Sequence, residues 1–298
     1  MTNAKKYGVS FSIKQCRNFE IDPKATLKWL IEDVGFRRFR LMSYWNELEK
    51  KPGIYDFSEL DSQIKAIEKV NGEITLCLGA RQPRWPENHW PDWAWELPKE
   101  ARTAALIEFI EVVVKRYQKN NIVVSWQLEN EALLESFGQR SEVDRMRLRQ
   151  EYALVKKLDP KRPVIMTTST SWGIPLRQPI PDIVGFSLYN IVFDKGAYHR
   201  SLYFPLVFRL RAAFIALLHR KPSFIHELQL EPWGPKAIWE MPISEQDKSM
   251  NTEQIEENLQ IAKTTKLKTI DLWGGEWWYW RAQNGNQAIA DAVKNSLL

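Results

Sequence analysis

The most informative stretch is Ile122-Val123-Val124-Ser125-Trp126-Gln127-Leu128-Glu129-Asn130-Glu131, an apolar run that delivers an Asn-Glu pair at its carboxyl end. A second run, Ser223-Phe224-Ile225-His226-Glu227, also ends in a glutamate. The interval between Glu131 and Glu227 has room for three strand-helix units of roughly 30 residues each. If the strands are parallel and close into a barrel, both glutamates lie at strand ends on the same face.

Short apolar runs alternate with amphipathic segments along the whole chain, which predicts eight strand-helix units. The predicted strands are Tyr7–Ser12, Arg38–Ser43, Ile74–Gly79, Ile122–Leu128, Val164–Thr168, Ile183–Leu188, Ser223–Glu227 and Thr269–Trp273. The predicted helices are Lys24–Val34, Phe57–Val70, Ala101–Asn120, Glu142–Leu158, Phe204–Leu218, Thr252–Lys266 and Gln287–Leu297. The fifth helix is short or missing, because Pro175, Pro179 and Pro181 exclude a full helix between the fifth and sixth strands.

The order of these units favours one α/β domain, a (β/α)8 barrel over residues 1–298. A doubly wound sheet is the alternative for alternating strands and helices. Eight units, with chemically active residues at the ends of distant strands, favour closure into a barrel.

Composition and charge narrow the class of partner. Hydrophobic residues make up 44% of the chain, which is enough for a buried core. The net charge is +5, and the basic residues are scattered singly or in pairs such as Lys5-Lys6 and Arg37-Arg38. A nucleic-acid partner is therefore not expected, since a phosphate-binding surface usually needs a concentrated basic patch.

The cysteines and the amino terminus predict a soluble, cytoplasmic protein. Cys16 and Cys77 are interpreted as buried free thiols, which fits a reducing compartment. Met1 to Gly8 runs into the first strand without a separate apolar segment of secretory type. No stretch approaches the roughly 20 apolar residues that span a bilayer.

Two carboxylates that face each other across a pocket are the machinery of glycoside hydrolysis. Taken alone, Asn130-Glu131 has a simpler interpretation as a helix cap followed by a first-turn acid. Its pairing with Glu227 in an eight-unit barrel favours catalysis instead. Glu231 and Glu276 are rival nucleophiles, but only Glu227 ends an apolar strand directly.

On these residues the chain resembles a retaining glycoside hydrolase of the (β/α)8-barrel superfamily, with cellulase-like, β-galactosidase-like and β-xylosidase-like members. The resemblance also includes Arg38-Phe39-Arg40 and the segment Trp45-Asn46-Glu47-Leu48-Glu49 followed by Pro52-Gly53-Ile54-Tyr55-Asp56-Phe57. It implies that Glu131 is the acid/base, that Glu227 is the nucleophile, and that Asn130 hydrogen-bonds the sugar 2-hydroxyl.

The chemistry assigns roles to the neighbouring side chains as well. Glu131 must hold a proton, and the negative charge of Glu227 would promote this by raising the pKa of Glu131 until Glu227 is consumed in the glycosyl ester. Arg40 would keep Glu227 ionised, with a barrel-end salt bridge as its alternative role. Tyr189 would donate a hydrogen bond to Glu227, with packing as its alternative role.

Fourteen tryptophans suit a sugar site, because indole rings stack on the C–H faces of pyranoses, although most are expected in the core. The resemblance puts a sugar-stacking aromatic after the eighth strand, where we select Trp273 and Trp278. Trp85 belongs to a second cluster, in a loop after the third strand, that either lines outer subsites or folds on itself. His226 should point away from Glu227 and be buried.

We expect no cofactor and no catalytic metal, because four scattered histidines form no ligand-spaced cluster. The expected partner is a carbohydrate substrate. A non-catalytic carbohydrate-binding barrel and a metal-dependent barrel hydrolase remain the alternatives.

Residues 203–218 are the least typical feature, since they are apolar nearly all around a helix whereas an outer barrel helix needs one apolar stripe. Ordinary packing is one interpretation. A homodimer interface or a peripheral membrane contact through Phe208 and Phe214 is the other.

Overall fold

The computed structural model describes residues 6–134, 137–170, 173–201 and 205–297. The strands of these ranges are β1 Lys6–Phe11, β2 Arg38–Met42, β3 Glu73–Leu78, β4 Val123–Leu128, β5 Val164–Thr168, β6 Ile183–Leu188, β7 Ile191–Asp194, β8 Ala197–Arg200, β9 Ser223–Gln229 and β10 Thr269–Trp273. Eight of them close into a barrel in the order β1-β10-β9-β6-β5-β4-β3-β2. The strand pairs β1–β10, β10–β9, β3–β4 and β4–β5 are parallel. The predicted (β/α)8 barrel is therefore confirmed.

The seven predicted helices are present at nearly the predicted positions. The helices of the described residues are α1 Ile13–Asn18, α2 Pro23–Glu32, α3 Trp45–Leu48, α4 Ser58–Glu68, α5 Asp92–Trp95, α6 Lys99–Tyr117, α7 Arg145–Leu158, α8 Pro205–His219, α9 Ile243–Gln246, α10 Thr252–Thr264, α11 Gly275–Gln283 and α12 Ala288–Leu297. Five shorter helices among them were not predicted, α1, α3, α5, α9 and α11. Helix α7 begins three residues later than predicted, because the Asp144 side chain accepts hydrogen bonds from the backbone N–H groups of Met146 and Arg147. As the prolines predicted, no helix lies in the described residues between β5 and β6.

A small hairpin follows β6, and the sequence analysis missed it. Strands β7 and β8 pair antiparallel as a separate two-stranded sheet. Their turn, Lys195-Gly196, has positive φ angles of 49° and 84°. This is the backbone that a two-residue hairpin turn requires, and Gly196 adopts it without a steric cost.

Residue contacts divide the chain into two compact units. One contains the residues up to Phe39, Thr170 and the residues from Gly185 onward, with β1, β9 and β10. In its interior Arg38 Nε donates to Asp271 Oδ1 at 2.8 Å. The other contains the described residues of Arg40–Ser169 and Gly173–Val184, with β3, β4 and β5.

In the second unit, the segment that carries part of the family resemblance forms a corner around one buried carboxylate. Glu49 Oε2 accepts a hydrogen bond from Trp45 Nε1 at 2.6 Å, and Oε1 accepts one from Gly53 N at 2.7 Å. The backbone carbonyl of Glu49 accepts a third, from Trp93 Nε1 at 3.0 Å. This motif therefore stabilises the loop after β2, and the Glu49 carboxylate is engaged in the hydrogen bonds that hold this loop.

A second buried acid fixes the ends of β3 and β4 in the same unit. Glu129 follows β4, and its carboxylate accepts hydrogen bonds from the backbone N–H groups of Ala80, at 3.1 Å, and Arg81. Burial raises the pKa of Glu129, against the lowering effects of Arg147 and of these two hydrogen bonds. Glu151, which accepts from Arg147 Nε at 3.0 Å, is also fully buried. Burial raises its pKa to about 8, and the charge of Glu129 adds to this shift.

Helix α8 turns one narrow face to the barrel. Phe208, Arg211 and Ile215 are buried, and the Arg211 guanidinium lies 4.4 Å from the centre of the Phe186 ring. The expectation that Phe208 belongs to an outer contact surface is wrong, because this side chain is fully enclosed. Residues 203 and 204 of the predicted segment lie outside the described residues. None of the described helices is long and apolar enough to cross a membrane.

The Glu49 corner predicts a large loss of stability in Glu49→Ala. This substitution leaves two donors without their acceptor, at a cost of about 2–4 kcal/mol in the free energy of unfolding. Glu49→Gln keeps one acceptor oxygen and should lose about half as much. Urea denaturation measures both values, and equal losses in the two variants would contradict the hydrogen-bonded role.

The buried Glu151 predicts a pH dependence of stability. Because its pKa is raised on folding, the unfolded chain releases this proton first as the pH rises above the ordinary glutamate pKa of 4.5, so stability falls up to about pH 8. Glu151→Gln has no proton to release there. Its melting temperature should therefore fall less between pH 5 and pH 8 than that of the wild type or of the exposed control Glu68→Gln. An unchanged pH dependence in Glu151→Gln would contradict this account.

Candidate active site

Strand β4 ends at Leu128 and places Glu131 at the start of the following loop. Glu131 is half-buried and has a positive φ of 46°, and its backbone N–H donates to Thr167 Oγ1 at 2.8 Å. The next helix in the described chain begins at Arg145. The helix-cap interpretation of Asn130-Glu131 is therefore wrong.

Asn130 is held by three side chains of its own unit. Its Nδ2 donates to Glu87 Oε2 at 3.1 Å. Its Oδ1 accepts from Gln127 Nε2 at 3.2 Å and from Thr167 Oγ1 at 3.3 Å. The amide is almost fully buried, so its orientation is set before any ligand arrives.

Arg40, on β2, is buried beside the same network. Its Nη1 donates to Gln127 Oε1 at 3.4 Å. Gln127 therefore connects Arg40 to Asn130. This chain of contacts ties a cation on β2 to the amide that follows β4.

In the first unit, Glu227 lies on β9 at an irregularity of the strand. Ile225 pairs with Ile270, but Leu228 pairs with Leu272, so three steps along β9 match two along β10. This is a β-bulge, and it falls at His226 and Glu227. Bulges re-aim side chains, and Glu227 is 5% exposed here.

The bulge corrects our expectation for His226. The imidazole is fully buried as expected, but it does not point away from Glu227, since its Nε2 lies 3.4 Å from Glu227 Oε1. Strict alternation of side chains fails where an extra residue enters the strand.

Tyr189 follows β6 and reaches the other carboxylate oxygen. Its Oη donates to Glu227 Oε2 at 3.0 Å, which is the contact that the sequence analysis expected. The edge of its ring packs against Trp233 at 5.3 Å between centroids, and its backbone N–H donates to Thr170 Oγ1. A cavity of about 230 Å³ opens beside it, lined among others by Thr170, Leu188, Asn190, Phe208 and Glu257.

The two rival nucleophiles lie in different surroundings. Glu276 is fully buried in the first turn of α11, and its Oε1 accepts a hydrogen bond from the backbone N–H of Ser12. The Glu276 carboxylate therefore stabilises the backbone at the end of β1. Glu231 is buried beyond the last residue of β9.

The two tryptophans chosen after the eighth barrel strand have different positions. Trp278 is fully buried, stacks on Phe36 and donates from Nε1 to the Leu230 carbonyl at 2.7 Å. Its assignment to substrate stacking is wrong, because no face of the indole is open to a sugar. Trp273 is the last residue of β10 and keeps 7% of its surface exposed.

The tryptophans of the cluster after β3 also differ in their exposure to solvent. Trp90 is buried against Trp45 and Trp95, so most of the cluster packs on itself. Trp85 is 55% exposed, and its ring meets Phe137 edge-on at 6.0 Å. Trp85 therefore keeps a surface that a ligand can reach.

Sequence reasoning missed the residues that hold the assigned ones. Thr167, Gln127 and Trp233 orient Glu131, Asn130 and Tyr189. Thr167 lies near the end of a predicted strand, so its position in the sequence could have identified it as a site residue. Glu87 comes from a loop without periodicity, so nothing in its pattern marked it. No three His, Cys, Asp or Glu side chains of the described residues come together as a metal site would require.

No model of a known protein family matches this chain. A curated protein, the β-galactosidase BgaA of Clostridium cellulovorans, is 28% identical over 120 residues, which are 34% of this chain and 18% of that protein. The chain thus aligns with less than a fifth of the length of this relative.

Solved structures of glycoside hydrolases share the fold over nearly the whole chain. A GH5_18 protein from Streptomyces cattleya, solved with GlcNAc, has a TM-score of 0.66 at 12% identity, covering 98% of this chain and 80% of its own. A GH10 endo-β-1,4-xylanase from Gloeophyllum trabeum has a TM-score of 0.61 at 14% identity, covering 90% and 83%. The exo-β-1,4-mannosidase Op5Man5 from an Opitutaceae bacterium has a TM-score of 0.59 at 14% identity, covering 91% and 52%. The chain therefore has the (β/α)8-barrel fold of these glycoside hydrolases.

Proposed function

We propose that this protein is a retaining β-glycoside hydrolase with Glu131 as acid/base and Glu227 as nucleophile. The observation that carries the proposal is that these glutamates follow β4 and lie on β9, the fourth and seventh strands of the closed barrel. Strand ends on this face form the active site in essentially every characterised barrel enzyme of this type. Residues 1–298 would then act as one catalytic domain.

The proposed reaction is a double displacement. Glu131 protonates the leaving oxygen while Glu227 attacks the anomeric carbon and forms a glycosyl ester. Glu131 then removes a proton from the water that cleaves this ester, which restores both carboxyl groups and retains the anomeric configuration. The proton that Glu131 gives to the leaving oxygen in the first step is replaced in the second step by one from the water.

The neighbouring contacts support the ionisation of Glu227. Tyr189 donates to one of its oxygens, and a donor to a carboxylate favours the charged form. We assign Arg40 the same electrostatic role.

The substrate contacts belong to the proposal as well. The fixed amide of Asn130 has a second Nδ2 hydrogen that suits a sugar 2-hydroxyl. We assign Trp273 to stacking at the cleaved sugar and Trp85 to an outer subsite, where its exposed indole fits.

The names of the relatives guide the choice of substrates, since they include a β-galactosidase and an exo-β-1,4-mannosidase. Aryl β-glycosides of the gluco, galacto, manno and xylo series form the first panel. We propose exo action, because the long loop that carries Trp85 is suited to closing one end of a groove. A cytoplasmic location remains part of the proposal.

Glu227→Ala should lower kcat on an aryl β-glycoside by on the order of 10⁴-fold or more, because the covalent step is lost. With a 2,4-dinitrophenyl substrate and azide, this variant should form the α-glycosyl azide. Glu131→Ala should form the β-glycosyl azide, because its nucleophile is intact. NMR identifies the anomers.

Glu231→Ala is the matched control, since it removes a buried carboxylate two residues beyond β9. It should keep the ability to form the glycosyl ester. Full activity in Glu227→Ala would overturn the assignment. A folded wild type that binds sugars without cleaving any of the four series would favour a carbohydrate-binding barrel.

Tyr189→Phe should lower kcat/KM by about 10- to 100-fold, because a hydrogen bond to a charged group is lost. The acid limb of its pH profile should also move to higher pH, since the carboxylate form loses a donor. Tyr198→Phe is the control, because its hydroxyl donates to Glu245 on α9 instead. Equal profiles for the two variants would contradict the role of Tyr189.

A further inference from the structure

Helix α8 carries an apolar stripe on its outer face. It consists of Leu206, Leu210, Phe214, Leu217 and Leu218, each between 46% and 82% exposed. At about 100° per residue these side chains span an arc of about 120°. We name them the α8 stripe. An outer barrel helix requires only its inward face to be apolar, so barrel packing does not explain this second face.

The orientation of α8 is fixed by the opposite side of the helix. Phe208, Arg211 and Ile215 are buried there, and Arg211 Nη1 donates to the Thr170 carbonyl at 3.3 Å. The stripe is therefore held outward, and the described residues leave it in contact with solvent.

The charge around the stripe is one-sided. From Lys195 to His226 the sequence contains no Asp or Glu, and it contains six Lys or Arg residues, whereas the net charge of the whole chain is +5. Arg209, beside the stripe on α8, and Arg220, directly after the last residue of α8, are both exposed. An apolar face beside basic side chains is the pattern of helices that lie on anionic membrane surfaces.

A second copy of the chain fits this face less well. The five side chains alone expose less apolar surface than the about 800 Å² that a stable interface buries on each partner. A symmetric contact would also bring the two sets of basic side chains together, and like charges there are unfavourable.

The neighbouring helix α10 carries exposed acidic side chains, which limit the basic surface around α8. Helix α10 exposes Glu253, Glu256 and Glu257, and Glu257 is paired with Arg200 at 2.7 Å. We therefore assign the attraction to anionic lipid to Arg209 on α8 and to Arg220 directly after it.

We propose that the α8 stripe docks this protein onto an anionic lipid surface. The leucines and Phe214 enter the boundary between headgroups and acyl chains, while Arg209 and Arg220 contact lipid phosphates. The contact is peripheral, and it is independent of the proposed glycosidase activity.

Sedimentation with vesicles tests the proposal on the whole chain. The wild type should bind vesicles of phosphatidylglycerol and phosphatidylcholine, bind pure phosphatidylcholine vesicles far less, and be weakened by 0.5 M NaCl. Leu210→Ser/Leu217→Ser should lower the partition coefficient at least about tenfold, because two apolar contacts are lost. Arg209→Glu/Arg220→Glu should lower it by about tenfold or more.

Two matched variants separate this surface from general effects. Ile54→Ser/Leu176→Ser removes two exposed apolar side chains elsewhere, and Lys65→Glu/Lys69→Glu makes the same charge change on α4 and directly after its last residue. Both should bind as the wild type does. The proposal is overturned if the wild type ignores anionic vesicles, or if the controls lose binding equally. It is also overturned if light scattering shows a dimer that Leu210→Ser/Leu217→Ser dissociates.

Discussion

The structure depends on one constraint, the closure of eight parallel strands into a barrel. Closure leaves no free edge in the barrel, and in folds of this type the active site lies at strand ends and in the loops that follow them. The end of β4 illustrates how a buried acid serves this arrangement. Glu129 binds the backbone after β3, and the next two residues, Asn130 and Glu131, are thereby brought to the start of the loop. Burying the Glu129 carboxylate to fix this geometry also raises its pKa, because the charged form loses its contact with water.

The chain uses its acidic residues in two different ways. One group has a structural role, because its carboxylates accept hydrogen bonds from backbone or indole N–H groups. It consists of Glu49, Glu129 and Glu276. Glu131 follows a barrel strand in a half-buried position, and Glu227 accepts from a tyrosine hydroxyl at a bulge. This distinction, rather than the number of carboxylates, supports the choice of the proposed catalytic pair. A retaining mechanism further requires the two carboxyl groups to act about 5–5.5 Å apart.

Periodicity predicted the barrel strands well, and β5, β6 and β10 have the predicted bounds. Periodicity failed where one or two residues change the backbone geometry. The bulge on β9 re-aims His226, and register with a neighbouring strand is not encoded in a local pattern. The hairpin after β6 depends on two positive φ angles at a Lys-Gly pair, a weak turn signal. Trp278 was misassigned because its place after the eighth barrel strand does not show whether the indole is accessible, whereas the packing shows that it is buried and stacked on Phe36.

Trapping of the glycosyl ester tests the central claim most directly. A 2-deoxy-2-fluoro glycoside with a good leaving group, in the sugar series that the protein cleaves, slows the second step more than the first and lets the ester accumulate. Mass spectrometry of the digested protein should then find one sugar attached to the peptide that contains Glu227, with fragment ions that place it on that residue. A label on Glu231 or Glu276, or the release of product with inverted configuration, would contradict the account.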